Sequence, residues 1–375
     1  MTYDVAIIGG GINGAGCARE LAMRGLKVVL LEKGEFGQGT SGRSSKLIHG
    51  GLRYLEQFHF GLVFEASRER KLLLENAPRL VKPLPFLLPI YRGGPHPVWK
   101  IRLGMWLYDA LALFQNVKPH RWLDAGEILK LEPGLASDGL LGGVLYYDAQ
   151  MDDRRLCIET INQAKRFGAD AYDHTRVKKV IRSGDTVDYL DTDKGQIFAN
   201  VYVNTTGPWC DELLESKTPL LRLSKGSHLV VQKLADHAIL ATAKSDGRVF
   251  FIMPWKNQTL IGTTEIDYQG SPDDAVISEE ERNYLLSETH RILPGVDLNV
   301  VDSFAGVRPL INQTESLGSV SREEAIIVHA ANFVSLIGGK YTTFRSVTER
   351  LARQVWRMLK RPEPFKSLTK HLNYE

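Results

Sequence analysis

Cysteine is scarce, and the three that occur, Cys17, Cys157 and Cys210, lie far apart with no CxxC pair. That pattern argues against a disulfide framework and a thiolate metal centre, and fits a reducing compartment best. No metal is expected. Charge of one sign is lacking too: 47 basic against 44 acidic side chains leave a net +3. Without a concentrated basic face, nucleic acid is excluded as a partner. Long apolar runs are missing. The most apolar window, residues 101–114, carries Arg102 and Asp109, and it falls short of the about 18 residues of a membrane span. No basic leader precedes the apolar run at Val5, so the expectation is a cytoplasmic protein without an export signal.

What is present is a 375-residue chain, 43% hydrophobic and 24% charged, an ordinary soluble composition. At roughly 150 residues per domain it has room for two or three domains. Its first segment is the most informative. Residues 3–8 are apolar and β-branched and then meet Gly9-Gly10-Gly11-Ile12-Asn13-Gly14. Residues 15–24 have helical composition and stop at Gly25, and residues 26–31 form a second apolar strand ending at Glu32. Strand, G-x-G-x-x-G, helix, strand and acid in that order spell a dinucleotide-binding βαβ unit. Gly9 permits the tight turn, Gly11 lets backbone N–H groups approach a pyrophosphate, and Gly14 lets the helix pack on the strand. The helix start supplies donors and partial positive charge, and Glu32 can accept from an adenosine ribose. Cys17, inside this helix, reads as a small buried side chain.

The fingerprint alone does not separate NAD from FAD. The next segment does: Gly39-Thr40-Ser41-Gly42-Arg43-Ser44-Ser45-Lys46-Leu47-Ile48-His49-Gly50-Gly51-Leu52-Arg53-Tyr54-Leu55. It closely resembles the second signature of FAD-dependent glycerol-3-phosphate dehydrogenases, members of the D-amino-acid-oxidase-like flavoproteins. Residues 65–78 (EASRERKLLLENAP) resemble the same family's next helix. Agreement continues at Asn204-Thr205-Thr206-Gly207-Pro208-Trp209, Lys225-Gly226-Ser227-His228, Gly306-Val307-Arg308-Pro309-Leu310 and Gly338-Gly339-Lys340-Tyr341-Thr342-Thr343-Phe344-Arg345. The family usually continues with a further helical domain, whereas this sequence stops at Glu375.

The expected fold is α/β. A Rossmann-like FAD-binding domain is assembled from residues 1–80, 145–215 and 305–358. An antiparallel-sheet substrate domain comes from residues 81–144 and 216–304, and residues 359–375 form a basic tail. Strands are expected over 220–232, 248–255, 258–264 and 332–337, and helices over 278–292 and from Tyr341. Thr342 or Thr343 is expected to cap the last helix.

The resemblance implies non-covalent FAD and oxidation of sn-glycerol 3-phosphate to dihydroxyacetone phosphate. A phosphate dianion beside a flavin needs cationic donors, and Arg53, Arg308, Arg322 and Lys340 fall on the family's substrate motifs. Tyr54 and His228 are further substrate contacts. His49, Arg308 and Lys340 are the catalytic candidates, with the general base left open between His49 and His228. Gly9, Gly11, Asn13, Gly14, Glu32, Lys33, Thr40, Ser41, Ser44, Ser45, Lys46, Leu47, Gly207, Gly339, Lys340 and Thr342 are implied for FAD. Ordinary turn chemistry would equally explain Ser44 and Ser45.

Electrons would pass to a quinone or another acceptor. An oxidase, a dehydrogenase of another hydroxy acid or amine, and a flavin-binding protein without turnover stand as alternatives. Residues 97–114 mix Trp99 and Trp106 with Lys100 and Arg102, a composition suited to a membrane interface. Arg353, Arg357, Lys360, Arg361, Lys366 and Lys370 would add about 1 kcal/mol each near anionic lipid. Peripheral attachment to the inner face of the cytoplasmic membrane is thus one reading, and a core helix with a solvated tail is the other. A homo-oligomer is left open.

Overall fold

The computed structural model describes residues 2–55, 58–215, 218–312, 324–362 and 374, with Arg53 described by its backbone alone. Residues Thr2–Ile8 form a strand whose alternate side chains are buried on both faces, as a central parallel strand requires. It pairs in parallel with Val28–Leu31 on one side and Gly195–Asn204 on the other. Outward from these lie Asp170–Tyr172 at one edge, and Phe333–Gly338 followed by antiparallel Glu324–Ala330 at the other.

Helices Ile12–Ala22, Asp153–Arg166 and Phe344–Met358 pack together over one face. There Val5, Ile7, Leu30 and Val203 meet Leu21, Leu351 and Val355. The alternate residues Ala6, Ile8, Val29 and Tyr202 face a second cluster under the hairpin Val177–Ser183/Thr186–Thr192. Period-two alternation on a strand covered from both sides thus builds two cores from one short sequence.

The second sheet runs Ile266–Asp267, Leu221–Gln232, Gln258–Gly262, Val249–Trp255, Ala238–Thr242, Val81–Tyr91, Leu140–Met151, Leu47–Ile48. Val300–Ile311 pairs along Leu221–Gln232. Pairing is antiparallel except between Val81–Tyr91 and Ala238–Thr242. Two of its strands, Leu140–Met151 and Val300–Ile311, run through the expected boundaries at 145 and 305. Helix Glu279–Ile292 begins with a capping box between Ser278 and Glu281.

Threonine capping of the last helix does not occur. Thr343 stands at the N-cap of Phe344–Met358 without a side-chain cap bond. The hydroxyl of Thr342 instead accepts from the His49 backbone N–H at 3.3 Å. The Thr343 hydroxyl donates back to the Lys340 carbonyl at 3.4 Å, so neither threonine caps the helix start.

Candidate active site

Gly9 takes φ +103°, and a Cβ on it would sit 2.7 Å from the Thr205 carbonyl oxygen. At Gly14 the clash is harsher, 1.9 Å from the Gly9 carbonyl oxygen. Gly11 differs: a Cβ there would meet only the Ser41 hydroxyl, at 3.1 Å. Space is therefore left above the start of helix Ile12–Ala22, where Gly11 gives no side-chain cap and no acid occupies the first turn. Ser41 Oγ accepts from the Ile12 N–H at 2.9 Å, and Asn13 Nδ2 donates to the Gly338 carbonyl at 3.2 Å. Glu32 is fixed by the Gly10 and Gly34 N–H groups at 2.7 and 2.9 Å.

The next loop is held by a carboxylate that the sequence reading missed. Asp153 accepts from the Ser44 hydroxyl at 2.7 Å and from Lys46 Nζ at 2.7 and 2.8 Å. Lys46, at φ +57°, also donates to the Gly42 carbonyl. Ser44 and Lys46 thus shape the loop, whereas Thr40, Ser44, Ser45, Leu47 and His49 all border a cleft between the two sheets. Lys33 lies apart from that cleft lining, paired with Asp273 at 2.6 Å and stacked over Trp209 at 4.2 Å. Gly207, at φ +58°, opens the turn that carries Trp209.

The cleft has a volume of about 1020 Å³ and brings together His49, Tyr54, His228, Arg308, Gly339, Lys340 and Thr342. Arg308 donates to Thr263 Oγ1 at 2.9 Å. It lies across Gly226, where a Cβ would come within 2.3 Å of Nη2. Gly262 makes the same room for His228, whose Cδ2 would be 2.3 Å from an added Cβ. Neither glycine role, nor Thr263, carried a signal in the single sequence.

His228 is buried, stacked on Phe304 at 4.9 Å, and bonded through Nε2 to Ser45 Oγ at 2.9 Å. Burial first, then the charges of Arg308 and Lys46, lower its pKa to about 3, so the ring is neutral. Its Nδ1 has no partner among the described residues. Lys340 follows two glycines of positive φ and sits 3.5 Å from the centre of the Tyr54 ring. Arg322 lies outside the described residues, as does the side chain of Arg53, whose backbone belongs to the short helix Leu52–Leu55. Cys17 and Cys157 are inert: burial pushes both thiols up.

A two-sheet α/β body with a glycine cradle at one helix start and a cation-lined cleft between the sheets defines a dinucleotide-dependent oxidoreductase. The chain belongs to the FAD dependent oxidoreductase family, whose model matches residues 4–343. It is 38% identical to the glycerol-3-phosphate dehydrogenase of Synechocystis sp., over 96% of this chain and 71% of that one. The corresponding enzyme of Mycobacterium leprae is 40% identical over 92% of this chain and 61% of its own length. Among solved structures, the glycerol-3-phosphate dehydrogenase from Bacillus halodurans complexed with FAD superposes with a TM-score of 0.79. It is 31% identical, over 98% of this chain and 66% of that one. The chain therefore spans between 61% and 71% of the length of these proteins.

FAD is the cofactor of this family, and the residues present fit it. The open space over Gly11 and a helix start whose N-cap residue brings no side chain suit a pyrophosphate. Glu32, oriented by two backbone donors, keeps lone pairs for ribose hydroxyls. A second helix start, this one uncapped, stands at the cleft behind Gly338 and Gly339.

Proposed function

We propose that the protein oxidises sn-glycerol 3-phosphate to dihydroxyacetone phosphate, with FAD as the cofactor. The reading is carried by the juxtaposition of Arg308, Lys340, His49 and His228 in one cleft that Thr40, Ser44 and Ser45 also border. The similarity to glycerol-3-phosphate dehydrogenases supports it. Bound FAD supplies the hydride acceptor for the C2–H of the alcohol.

The protein's residues orient the dianion, exclude water and take the hydroxyl proton. Arg308, steadied by Thr263, offers a planar guanidinium fork to the phosphate. Arg53 and Arg322 are proposed as further phosphate donors. Lys340, held against Tyr54, stabilises negative charge that develops as the alcohol is oxidised. His228, neutral and fixed by Ser45, is a hydrogen-bonding wall, and its low pKa makes it a poor base. His49 is the proposed base and takes the proton of the C2 hydroxyl on an imidazole nitrogen. An anaerobic visible spectrum before and after adding glycerol 3-phosphate tests the reading. Bleaching by this substrate, and none by glycine, sarcosine or 2-hydroxyglutarate, is expected; the reverse pattern overturns it.

The proposed acceptor is a quinone, reached at a membrane surface. No helix among the described residues is long and apolar enough to cross a membrane. Helix Val98–Leu111, however, turns Trp99, Leu103 and Trp106 outward, exposed by 67, 58 and 58%. Phe64 and Leu113 border a common groove beside it. Exposed aromatic and aliphatic side chains in that density suit insertion into a lipid interface. Comparing peroxide yield with reduction of a quinone analogue separates this acceptor from oxygen.

A further inference from the structure

Helix Phe60–Asn76 carries the sequence run EASRERK, yet none of its side chains takes part in the site described above. Its Arg70 is buried and points to a carboxylate outside the sequence-derived site. Asp148, on strand Leu140–Met151, is 3% exposed and borders the cleft. One of its oxygens, Oδ1, accepts from the Gly50 N–H at 2.9 Å and from the Tyr108 hydroxyl at 2.8 Å. Arg70 Nη1 donates to the same oxygen. The turn carrying Gly50, the strand and helices Phe60–Asn76 and Val98–Leu111 all meet at that atom.

We infer that Asp148 is a positioning residue for the His49–Gly51 turn, with Arg70 and Tyr108 fixing its carboxylate. The inference rests on the proposal that this cleft is where the alcohol is oxidised. The backbone is pressed onto the cluster: a Cβ on Gly50 would lie 2.2 Å from the Tyr108 hydroxyl oxygen and 2.9 Å from Arg70 Nη1. Gly51 turns away at φ +83°. His49 is then pinned on both sides, by its own N–H on Thr342 Oγ1 and by the N–H of Gly50 on Asp148. The other arm of Arg70 reaches the Asn116 side-chain oxygen. Asn116 Nδ2 donates to Asp109 at 2.6 Å, and Asp109 bonds His120 Nδ1 at 2.7 Å.

Stability alone gives such a cluster little purpose. A buried ion pair replaced by apolar side chains of similar volume is often neutral or stabilising. A carboxylate bound to a backbone N–H instead supplies a short, directional, charge-assisted bond. That is what a proton-accepting histidine on a glycine-flanked turn requires, since small displacements of reacting groups lower rates steeply.

The test compares holoenzymes of wild type, Asp148→Asn, Asp148→Ala and the double variant Arg70→Met/Asp148→Leu. FAD content, melting temperature, visible circular dichroism of the flavin and kcat/KM for glycerol 3-phosphate are measured on each. The double variant is expected to fold and bind FAD, yet to show a changed flavin dichroism and a kcat/KM lower by about tenfold or more. Asp148→Ala should behave alike where it folds. Asp148→Asn, which still accepts from Gly50, should recover activity to within about threefold of wild type. Wild-type dichroism and kinetics in the double variant overturn the inference. So does an Asn variant as impaired as the double, and so does a double variant that cannot fold, which makes the cluster a stability element. Wild-type protein that glycerol 3-phosphate fails to reduce overturns the functional reading instead, and the dichroism of the variants still decides on Asp148.

Discussion

Arg308 and Gly226 form a matched pair, because the guanidinium occupies the volume that any larger residue at 226 would claim. Arg308→Ala is expected to lower kcat/KM for glycerol 3-phosphate by roughly tenfold or more, the scale of a charge-assisted bond worth about 1.5–3 kcal/mol. FAD content should not change. Gly226→Ala should reproduce that loss by displacing Arg308, and it should lower the melting temperature as well, since its methyl also comes within 2.6 Å of Thr263 Oγ1. Steady-state kinetics with flavin quantitation check both. His228 gives a pH signature. Its pKa is lowered to about 3 in the fold, so the unfolded chain binds a proton that the native state refuses. The stability this provides is present above about pH 6.5 and is lost as pH falls toward 3, by about 1.4 kcal/mol per pH unit. Urea unfolding from pH 7 to 4 should show a shallower decline in His228→Leu than in wild type.

Among the elements, the βαβ unit was legible because its signals are local. An apolar strand, a glycine turn, a helix and an acid lie within one short segment, and the structure places Thr2–Ile8, Ile12–Ala22 and Val28–Leu31 there. Its glycines are unequal in a way the motif does not disclose. Gly14→Ala brings a methyl to 1.9 Å from a backbone oxygen, whereas at Gly11 the methyl meets only a hydroxyl at 3.1 Å. Gly14→Ala should therefore lower the melting temperature and empty the cofactor site. Gly11→Ala should keep the fold and weaken FAD binding, read by flavin fluorescence on titration. Other contacts were illegible because they join distant segments. Ser45 and His228 are 183 positions apart, and Asp153 fixes the loop residues Ser44 and Lys46 from the start of helix Asp153–Arg166. A hydroxyl-rich loop reads the same whether it faces a ligand or its own neighbours. The uncapped start of Phe344–Met358 shows the same limit: Thr342 is taken up by His49, and the N-cap Thr343 turns its hydroxyl back to the Lys340 carbonyl.

For the whole molecule, two sheets meet at a cleft that holds the candidate groups, and one side presents an apolar face around Val98–Leu111. Composition placed Trp99 and Trp106 in an amphipathic stretch but could not tell core from surface; burial of Met105, Tyr108 and Asp109 on the opposite side decides it. If the exposed face docks on lipid, Trp99→Glu/Trp106→Glu, two positions outside the cleft lining, should abolish flotation with anionic liposomes while leaving reduction by glycerol 3-phosphate intact. Flotation equal to wild type removes this face from the contact. The central claim, that these cations grip a phosphorylated alcohol beside a flavin, is tested most directly by stopped-flow absorbance of the anaerobic holoenzyme mixed with glycerol 3-phosphate. Rapid, saturable loss of the oxidised flavin band, weakened in Arg308→Ala, is the expected result. A flavin that stays oxidised at every substrate concentration would contradict the account.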